Sequence, residues 1–409
     1  MFSRLFKSIE AGLFYLLTAA HDRKKYTFNF LGFTKHYKII TLRIPLLITA
    51  AVLRKKGNPF SIEQLKLDAP RPDEILVRIA GAGICHSDLT IRDNPLVLPI
   101  VLGHEGSGVV EKVGDRVNKV KPGDHVVLSF VYCGNCANCR QGLPAYCSRS
   151  FTGTFSGMRS DGSTTLHKGN EKVHGNFFGQ SSFATYALTY ENNVVKVRHD
   201  APLEILGPLG CGIQTGAGAV FNSMQVKLGS SIAVFGLGSV GLSAIMAAVV
   251  TGCSKIIGID IKPKRLQLAK ELGATHTINS AETNVANEIK KITGEGANYS
   301  LECAGNPKIF RQALESLRRP GVCGLVGGTP VGTDVSFDMN SIMFGRTIRG
   351  ILEGDSIPDI FIPQLVELFM QGRFPLDLLV TYYNLDQINQ AVEDSEQGRT
   401  IKPILRMPT

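Results

Sequence analysis

From about Thr49 the apolar positions fall in short runs broken by Gly and Pro, at residues 50–53, 74–79, 108–113 and 125–128. Strands of this length and spacing predict a partly open antiparallel barrel. After about Gly212 the pattern changes. Strand-like runs at 232–235, 255–259, 299–303 and 324–326 alternate with helix-like runs that start near Val240 and cover 263–272. That alternation predicts a doubly wound parallel sheet. Beyond about Leu352 a helix over 361–371, with Pro363 in its first turn, and terminal strands are expected to return to the first half. The expectation is therefore an α/β chain with one domain from 47–212 and 352–409 and a second from 213–351.

Residues 228–254 carry no charge and would be flagged as membrane-spanning by hydropathy alone. Glycines at 236, 238 and 241 directly after a β-rich run argue instead for a buried strand turning into a buried helix, so no membrane span is expected. With 409 residues, 44% hydrophobic and 19% charged, the composition is that of a globular protein with real cores. The net charge of +9 is concentrated at the front: residues 1–45 hold eight Lys/Arg against Glu10 and Asp22, leaving +3 for the rest. So mild an excess argues against nucleic acid as a partner and suits an anionic cofactor. Nine cysteines without a repeated spacing beyond one cluster fit a reducing, cytoplasmic setting.

Residues 1–46 fit neither half. Two readings stay open: an over-called start, with initiation near residues 42–48, or a cationic amphipathic segment for targeting or tethering.

The densest chemistry lies at Cys133, Cys136, Cys139 and Cys147, in C-x2-C-x2-C-x7-C spacing. Four thiolates so placed suit a closed tetrahedral zinc with structural function, though two disulfides, an iron–sulfur cluster or free thiols share the spacing. Three separated motifs suggest a second site: Cys85-His86-Ser87-Asp88, His104-Glu105 and Cys211 between two glycines. Two thiolates and one imidazole leave a fourth position open, as a catalytic zinc requires. Gly236, Gly238 and Gly241 form G-x-G-x-x-G between strand and helix, where backbone can approach a pyrophosphate. Asp260, 19 residues after Gly241, ends the next strand and can accept from ribose hydroxyls, which favours NAD over NADP. Arg265 keeps some room for a phosphate.

Taken together, in this order and with the four-cysteine lobe between His104 and Cys211, these motifs resemble the zinc-dependent medium-chain alcohol dehydrogenases over about residues 48–409. The resemblance implies a GroES-like catalytic barrel joined to a Rossmann domain, two zinc ions per subunit, NAD, and a homodimer or homotetramer joined near 335–351. It implies that Cys85, His104 and Cys211 hold the catalytic zinc with Glu105 close by, and that Asp88 orients the imidazole of His104. Ser87 would take the substrate proton. His86 and Lys402 would meet the pyrophosphate, Arg265 would lie by the cofactor, and Thr215, Val240 and Val326 would wall the nicotinamide. Several relatives have a histidine five positions after the first zinc cysteine; here that position is Thr90, so the end of the proton relay is unassigned.

Phe130, Phe177 and Phe178 resemble the family's pocket-lining positions, and with the insert at 152–168 they look most like the aryl-alcohol (benzyl-alcohol) branch. Aromatic walls favour flat aryl groups. The expected reaction is oxidation of a primary, aromatic alcohol to the aldehyde. Competing readings are an S-(hydroxymethyl)glutathione dehydrogenase, using Arg149 and Arg159 for glutathione carboxylates, and a non-catalytic zinc and nucleotide binder.

Overall fold

The structure is a computed structural model that describes residues 46–408 and two short strands before them. Those strands, β1 (Thr27–Phe30) and β2 (Phe33–His36), pair antiparallel with Thr27 opposite His36. The chain divides into two compact units, Met1–Ile44 and Pro45–Thr409. Apart from the hairpin, both readings of residues 1–46 fall outside the described residues.

In the larger unit the chain first lays down β3 (Leu46–Leu53), β4 (Ser61–Leu67), β5 (Glu74–Gly83), helix α1 (His86–Asp93), β6 (Ile100–Val101), β7 (Glu105–Val113) and β8 (His125–Leu128). After the cysteine lobe come β9 (Leu166–Lys168), β10 (Glu171–Val173), β11 (Tyr186–Tyr190) and β12 (Val194–Lys196). Helix α2 (Gly212–Gly218) crosses to the second half. There, β13 (Ser231–Phe235), helix α3 (Ser239–Thr251), β14 (Lys255–Asp260), helix α4 (Pro263–Glu271) and β15 (His276–Asn279) follow. Helix α5 (Val285–Thr293), β16 (Ala297–Glu302), helix α6 (Pro307–Glu315), β17 (Leu317–Leu325) and β18 (Arg346–Gly350) complete it. Helix α7 (Pro358–Met370), β19 (Val380–Asn384), helix α8 (Ile388–Glu396) and β20 (Lys402–Arg406) close the chain.

The first half holds a five-stranded sheet in the order β10-β9-β4-β3-β6 and a sheet running β12-β8-β7-β5-β20-β19, with β11 also on β5. β5 is almost entirely buried because both its faces are covered, and it pairs antiparallel with β7, β11 and β20. The second half is one sheet, β15-β14-β13-β16-β17-β18, parallel throughout. This order reverses direction beside β13, which opens a crevice at the carboxyl ends of β13 and β16. The chain is thus an α/β protein with a GroES-like part and a Rossmann sheet. One apolar cluster spans both halves, joining Val127, Leu209 and Ile404 to Ile213, Leu242 and Leu301.

Residues 228–254 form β13 and α3, and among the described residues no helix is long and apolar enough to cross a membrane. One boundary needs correction. The helix expected over 361–371 starts at Pro358, whose fixed φ suits a first helical position. Pro363 lies inside it, where it has no N–H to donate to the Asp359 carbonyl.

Candidate active site and metal centres

Helix α1 organises the first donor group. Cys85 is its N-cap, and Asp88, at the third helical position, accepts from the Cys85 amide through Oδ2 at 2.9 Å. Its other oxygen takes the Gly103 amide at 3.1 Å and the His104 imidazole Nδ1 at 2.9 Å, with both side chains fully buried. One carboxylate therefore caps the helix and fixes the ring that follows the next strand. With Nδ1–H on Asp88, His104 directs Nε2 at Cys211 Sγ, 3.3 Å away.

Donor atoms of Cys85, His104, Glu105 and Cys211 all lie within 4.8 Å of one another. Burial opposes a charged imidazole at His104, yet Asp88 and the Cys85 sulfur outweigh it and hold its pKa well above the ordinary value. The hydrogen bond from Cys211 draws the Cys85 thiol well below its ordinary pKa, and the same contact pushes Cys211 well above. One thiol of the pair therefore ionises more readily than the other. A divalent cation bound there would release the thiol protons, and two sulfurs, an imidazole and a carboxylate are the donors zinc takes.

Glu105 is buried beside this group, and desolvation raises its pKa against the pull of Lys402. Lys402 differs most from its expected place. The residue is 1% exposed, and its ammonium lies 2.9 and 2.8 Å from the two Glu105 oxygens and 3.1 Å from the Ile84 carbonyl. All three of its hydrogens are engaged, so it neutralises Glu105 and presents none to a pyrophosphate. His86 is exposed on α1, and Thr90, one turn on, donates to its carbonyl at 3.1 Å. Ser87 Oγ stands 3.9 Å from Cys85 Sγ, beside the donor group.

The second group, Cys133, Cys136, Cys139 and Cys147, also converges within 4.8 Å. Its sulfur separations include 3.4 Å for Cys136 to Cys139 and 4.0 Å for Cys136 to Cys147. A tetrahedron with arms of roughly 2.3 Å has edges of about 3.8 Å, so the lobe fits zinc. Backbone amides of Cys139 and Ser148 draw Cys136 down to about 5, while desolvation and Cys136 push Cys139 up to about 12. All nine cysteines are free of disulfides.

The glycine turn sits at the crevice mouth. Gly236 has φ 90°, a Cβ on Gly241 would strike the Gly236 carbonyl at 1.9 Å, and Gly238 has open space around it. Close packing at two positions and uncovered backbone at the third are what a pyrophosphate cradle needs. Asp260 ends β14 with Oδ2 on the Leu237 amide at 2.8 Å and Oδ1 on the amides of Ile261 and Lys262, which fixes its carboxylate beside the turn. Arg265 approaches Asp260 only to 3.7 Å. Val240, at the start of α3, comes 3.7 Å from where a Gly212 side chain would begin, one residue from Cys211. Val326, partly buried, follows β17 with its amide on the Glu302 carbonyl at 3.0 Å.

Of the three expected pocket phenylalanines, Phe177 has no exposed surface and Phe130 very little. Phe178 stacks on the His104 ring, centroids 4.3 Å apart, and holds a left-handed φ of 51°. A bulky residue adopts that conformation only where surroundings enforce it. Gln180 bridges the His104 carbonyl and the Gly106 amide, which fixes the backbone on either side of Glu105. Half-buried Phe155, from the insert, meets Phe178 edge-on at 5.6 Å. Sequence reasoning missed Phe155 and Gln180, which no motif marks. It also missed Glu353, whose one signal is an acidic residue beside Gly354 just after the last parallel strand.

A parallel sheet with a glycine turn at its crevice, facing a cysteine–histidine metal group on an antiparallel half, defines a zinc-binding dehydrogenase. Profile comparison agrees: the "Alcohol dehydrogenase GroES-like domain" matches residues 71–199 and "Zinc-binding dehydrogenase" matches 239–370. Geraniol dehydrogenase of Castellaniella defragrans is 46% identical over 360 residues, 87% of this chain and 96% of that protein. Among solved structures, an alcohol dehydrogenase zinc-binding domain protein from Burkholderia ambifaria is 55% identical with TM-score 0.88, covering 89% of this chain and all of that one. Benzyl alcohol dehydrogenase from Acinetobacter calcoaceticus is 50% identical with TM-score 0.86 over the same shares. The chain belongs to the zinc-dependent medium-chain alcohol dehydrogenase family, and it is an oxidoreductase of alcohols.

Proposed function

We propose that this chain oxidises a primary, aromatic alcohol to its aldehyde, reversibly, with NAD as hydride acceptor and with one catalytic and one structural zinc per subunit. The carrying observation is the donor group of Cys85, His104, Glu105 and Cys211, joined by Gly212 to Val240 at the start of the glycine-turn helix. Bound zinc would supply Lewis acidity to an alcohol oxygen, and NAD would accept the hydride. Asp88 holds the His104 ring in one tautomer and orientation. Ser87 takes the hydroxyl proton beside Cys85 and passes it outward, towards the cofactor ribose, Thr90 or water. Asp260 holds a negative charge beside the turn, which repels a 2′-phosphate and favours NAD.

Phe178 and Phe155 carry the aromatic preference, because Phe178 stacks on His104 and Phe155 meets Phe178 edge-on, a ring geometry suited to aryl contacts. Geraniol and benzyl alcohol, named for two relatives, are both primary alcohols on a carbon next to an unsaturated one. The glutathione reading loses Arg159, which is buried on Glu74 at 2.6 Å and on Asp68 at 2.8 Å. Free cysteines agree with a reducing, cytoplasmic setting. A homodimer or homotetramer would form through the edge strand β18 and the exposed Met339, Met343 and Phe344 beside it.

The test is a steady-state comparison of benzyl alcohol, ethanol and S-(hydroxymethyl)glutathione, each with NAD and with NADP. Benzyl alcohol with NAD is expected to exceed ethanol in kcat/KM by about 100-fold, the scale of an added apolar body in a matching pocket. A preference for the glutathione adduct or for NADP would overturn the substrate or cofactor assignment. Ser87→Ala is expected to lower kcat by about 100-fold with zinc content unchanged; an undiminished kcat would remove Ser87 from the relay.

A further inference from the structure

Glu353 stands in the turn between β18 and α7, and neither metal group includes it. Three successive residues there are left-handed: Glu353 at φ 49°, Gly354 at 65° and Asp355 at 51°. Glutamate rarely holds that conformation, and this turn is pinned from several sides. A Cβ on Gly218 would strike the Gly354 carbonyl at 2.4 Å, so the turn and α2 touch backbone to backbone. Tyr146, beside Cys147, donates to Asp355 at 2.6 Å, and Ser356 bonds the Gln214 side chain at 2.9 Å. The result is a carboxyl enclosed by protein that still keeps solvent-accessible surface, as on a cleft wall.

That carboxyl has few hydrogens directed at it. Thr215 Oγ1, 3.3 Å away, divides its single hydrogen between that carboxylate and the Cys211 carbonyl at 2.9 Å. Gln214 Nε2, 3.5 Å away, has its two hydrogens on the Gly210 carbonyl at 2.6 Å and on Ser129 Oγ at 2.9 Å. No cation forms an ion pair with Glu353 among the described residues, whereas Glu105 has Lys402 and Asp355 has Arg349. Burial raises its pKa to about 7, against the pull of the His104 imidazole.

The fold limits where that charge can come from. Glu353 touches Thr215, one helical turn beyond Cys211 on α2, and α2 packs on the helix that starts at the glycine turn: a Cβ on Gly216 would strike the Val240 carbonyl at 1.9 Å. A hydride acceptor bound by its pyrophosphate at that turn would have to bring its ring within roughly 3.5 Å of a carbon held at the first donor group. The stretch from Cys211 to Thr215, with Glu353 behind it, would then hold that ring.

We propose that Glu353 is the counter-charge of the nicotinamide ring, so that this chain holds the oxidised, cationic cofactor more tightly relative to the reduced one than a neutral residue would allow. The inference rests on the nicotinamide cofactor proposed above. In alcohol oxidation the C–H electron pair passes to the ring, whose charge falls from +1 to 0, and the alcohol's hydroxyl proton departs. Glu353 therefore interacts with the two cofactor states unequally, and it favours the state that begins the oxidation.

The test measures dissociation constants of NAD⁺, NADH and ADP-ribose on zinc-loaded protein, for wild type and for the Glu353→Asp and Glu353→Asn variants. Both replacements tolerate the left-handed backbone and differ in charge. Glu353→Asn is expected to weaken NAD⁺ relative to NADH by about tenfold, with ADP-ribose affinity unchanged and with Glu353→Asp close to wild type. Equal changes for NAD⁺ and NADH, or a parallel loss for ADP-ribose, would overturn the proposal in favour of a purely structural turn. Wild-type protein that binds none of the three would overturn the cofactor reading itself, and this inference with it.

Discussion

At the scale of single residues, buried charge decides most. Lys402 and Glu105 form an ion pair with both side chains almost wholly buried, and the Ile84 carbonyl completes the ammonium's shell. Removing one member strands the other in a poorly polarisable interior. Lys402→Met is expected to destabilise the zinc-loaded protein by about 3 to 5 kcal/mol in urea unfolding. Joint replacement by Met at 402 and Leu at 105 should recover much of that loss, because no charge is left unpaired. If Lys402→Met alone were neutral, the Glu105 charge would be met by another partner in the donor group. At this scale the sequence was legible where chemistry is written in spacing. Cys85, His104, Cys211 and the four lobe cysteines stand in motifs, and they converge. Phe155, Gln180 and Glu353 stand in none, because they act through contacts that only the folded chain creates. Lys402 shows the opposite limit: a cation near the end of the chain reads as an anion binder until its buried partner is known.

Elements show which local signals were strong. The strand-to-helix turn at Gly236 was legible because glycine is required there for φ and for close approach. Helix α7 was misplaced by three residues because two prolines compete for its first turn, and the earlier one holds it. The cysteine lobe is an element of another kind. It contains only short helices and turns, at Ala137–Arg140 and Pro144–Tyr146, and few buried side chains. Its order therefore depends on its sulfurs. Cys136→Ser is expected to remove one of the two zinc ions proposed per subunit, read by metal analysis, and to lower the thermal midpoint by several degrees. Since Tyr146 ties the lobe to Asp355, kcat should fall as well, though far less than in Ser87→Ala. Loss of hydride transfer with stability intact would show that the lobe takes a direct part in the chemistry.

For the whole molecule, the exposed apolar residues beside β18 set the expected assembly. Met339 and Met343 are 84% and 69% exposed next to the free edge of the parallel sheet. Such an edge invites pairing with a second copy. Met343→Lys is expected to shift the sedimentation profile towards monomer at micromolar concentration. A profile unchanged from wild type would place the subunit contact elsewhere.

The position of β20 has a consequence for how the protein is made. β20 lies against β5, and its Lys402 neutralises a glutamate 297 positions earlier. The parallel sheet, by contrast, is assembled from one continuous stretch, 231–350. At about 5 to 20 residues per second, Glu105 leaves the ribosome roughly 15 to 60 seconds before the lysine that lets it be buried. During that interval the central sheet of the metal-binding half lacks β20, so nascent chains should need the protection of chaperones until the final strand is released.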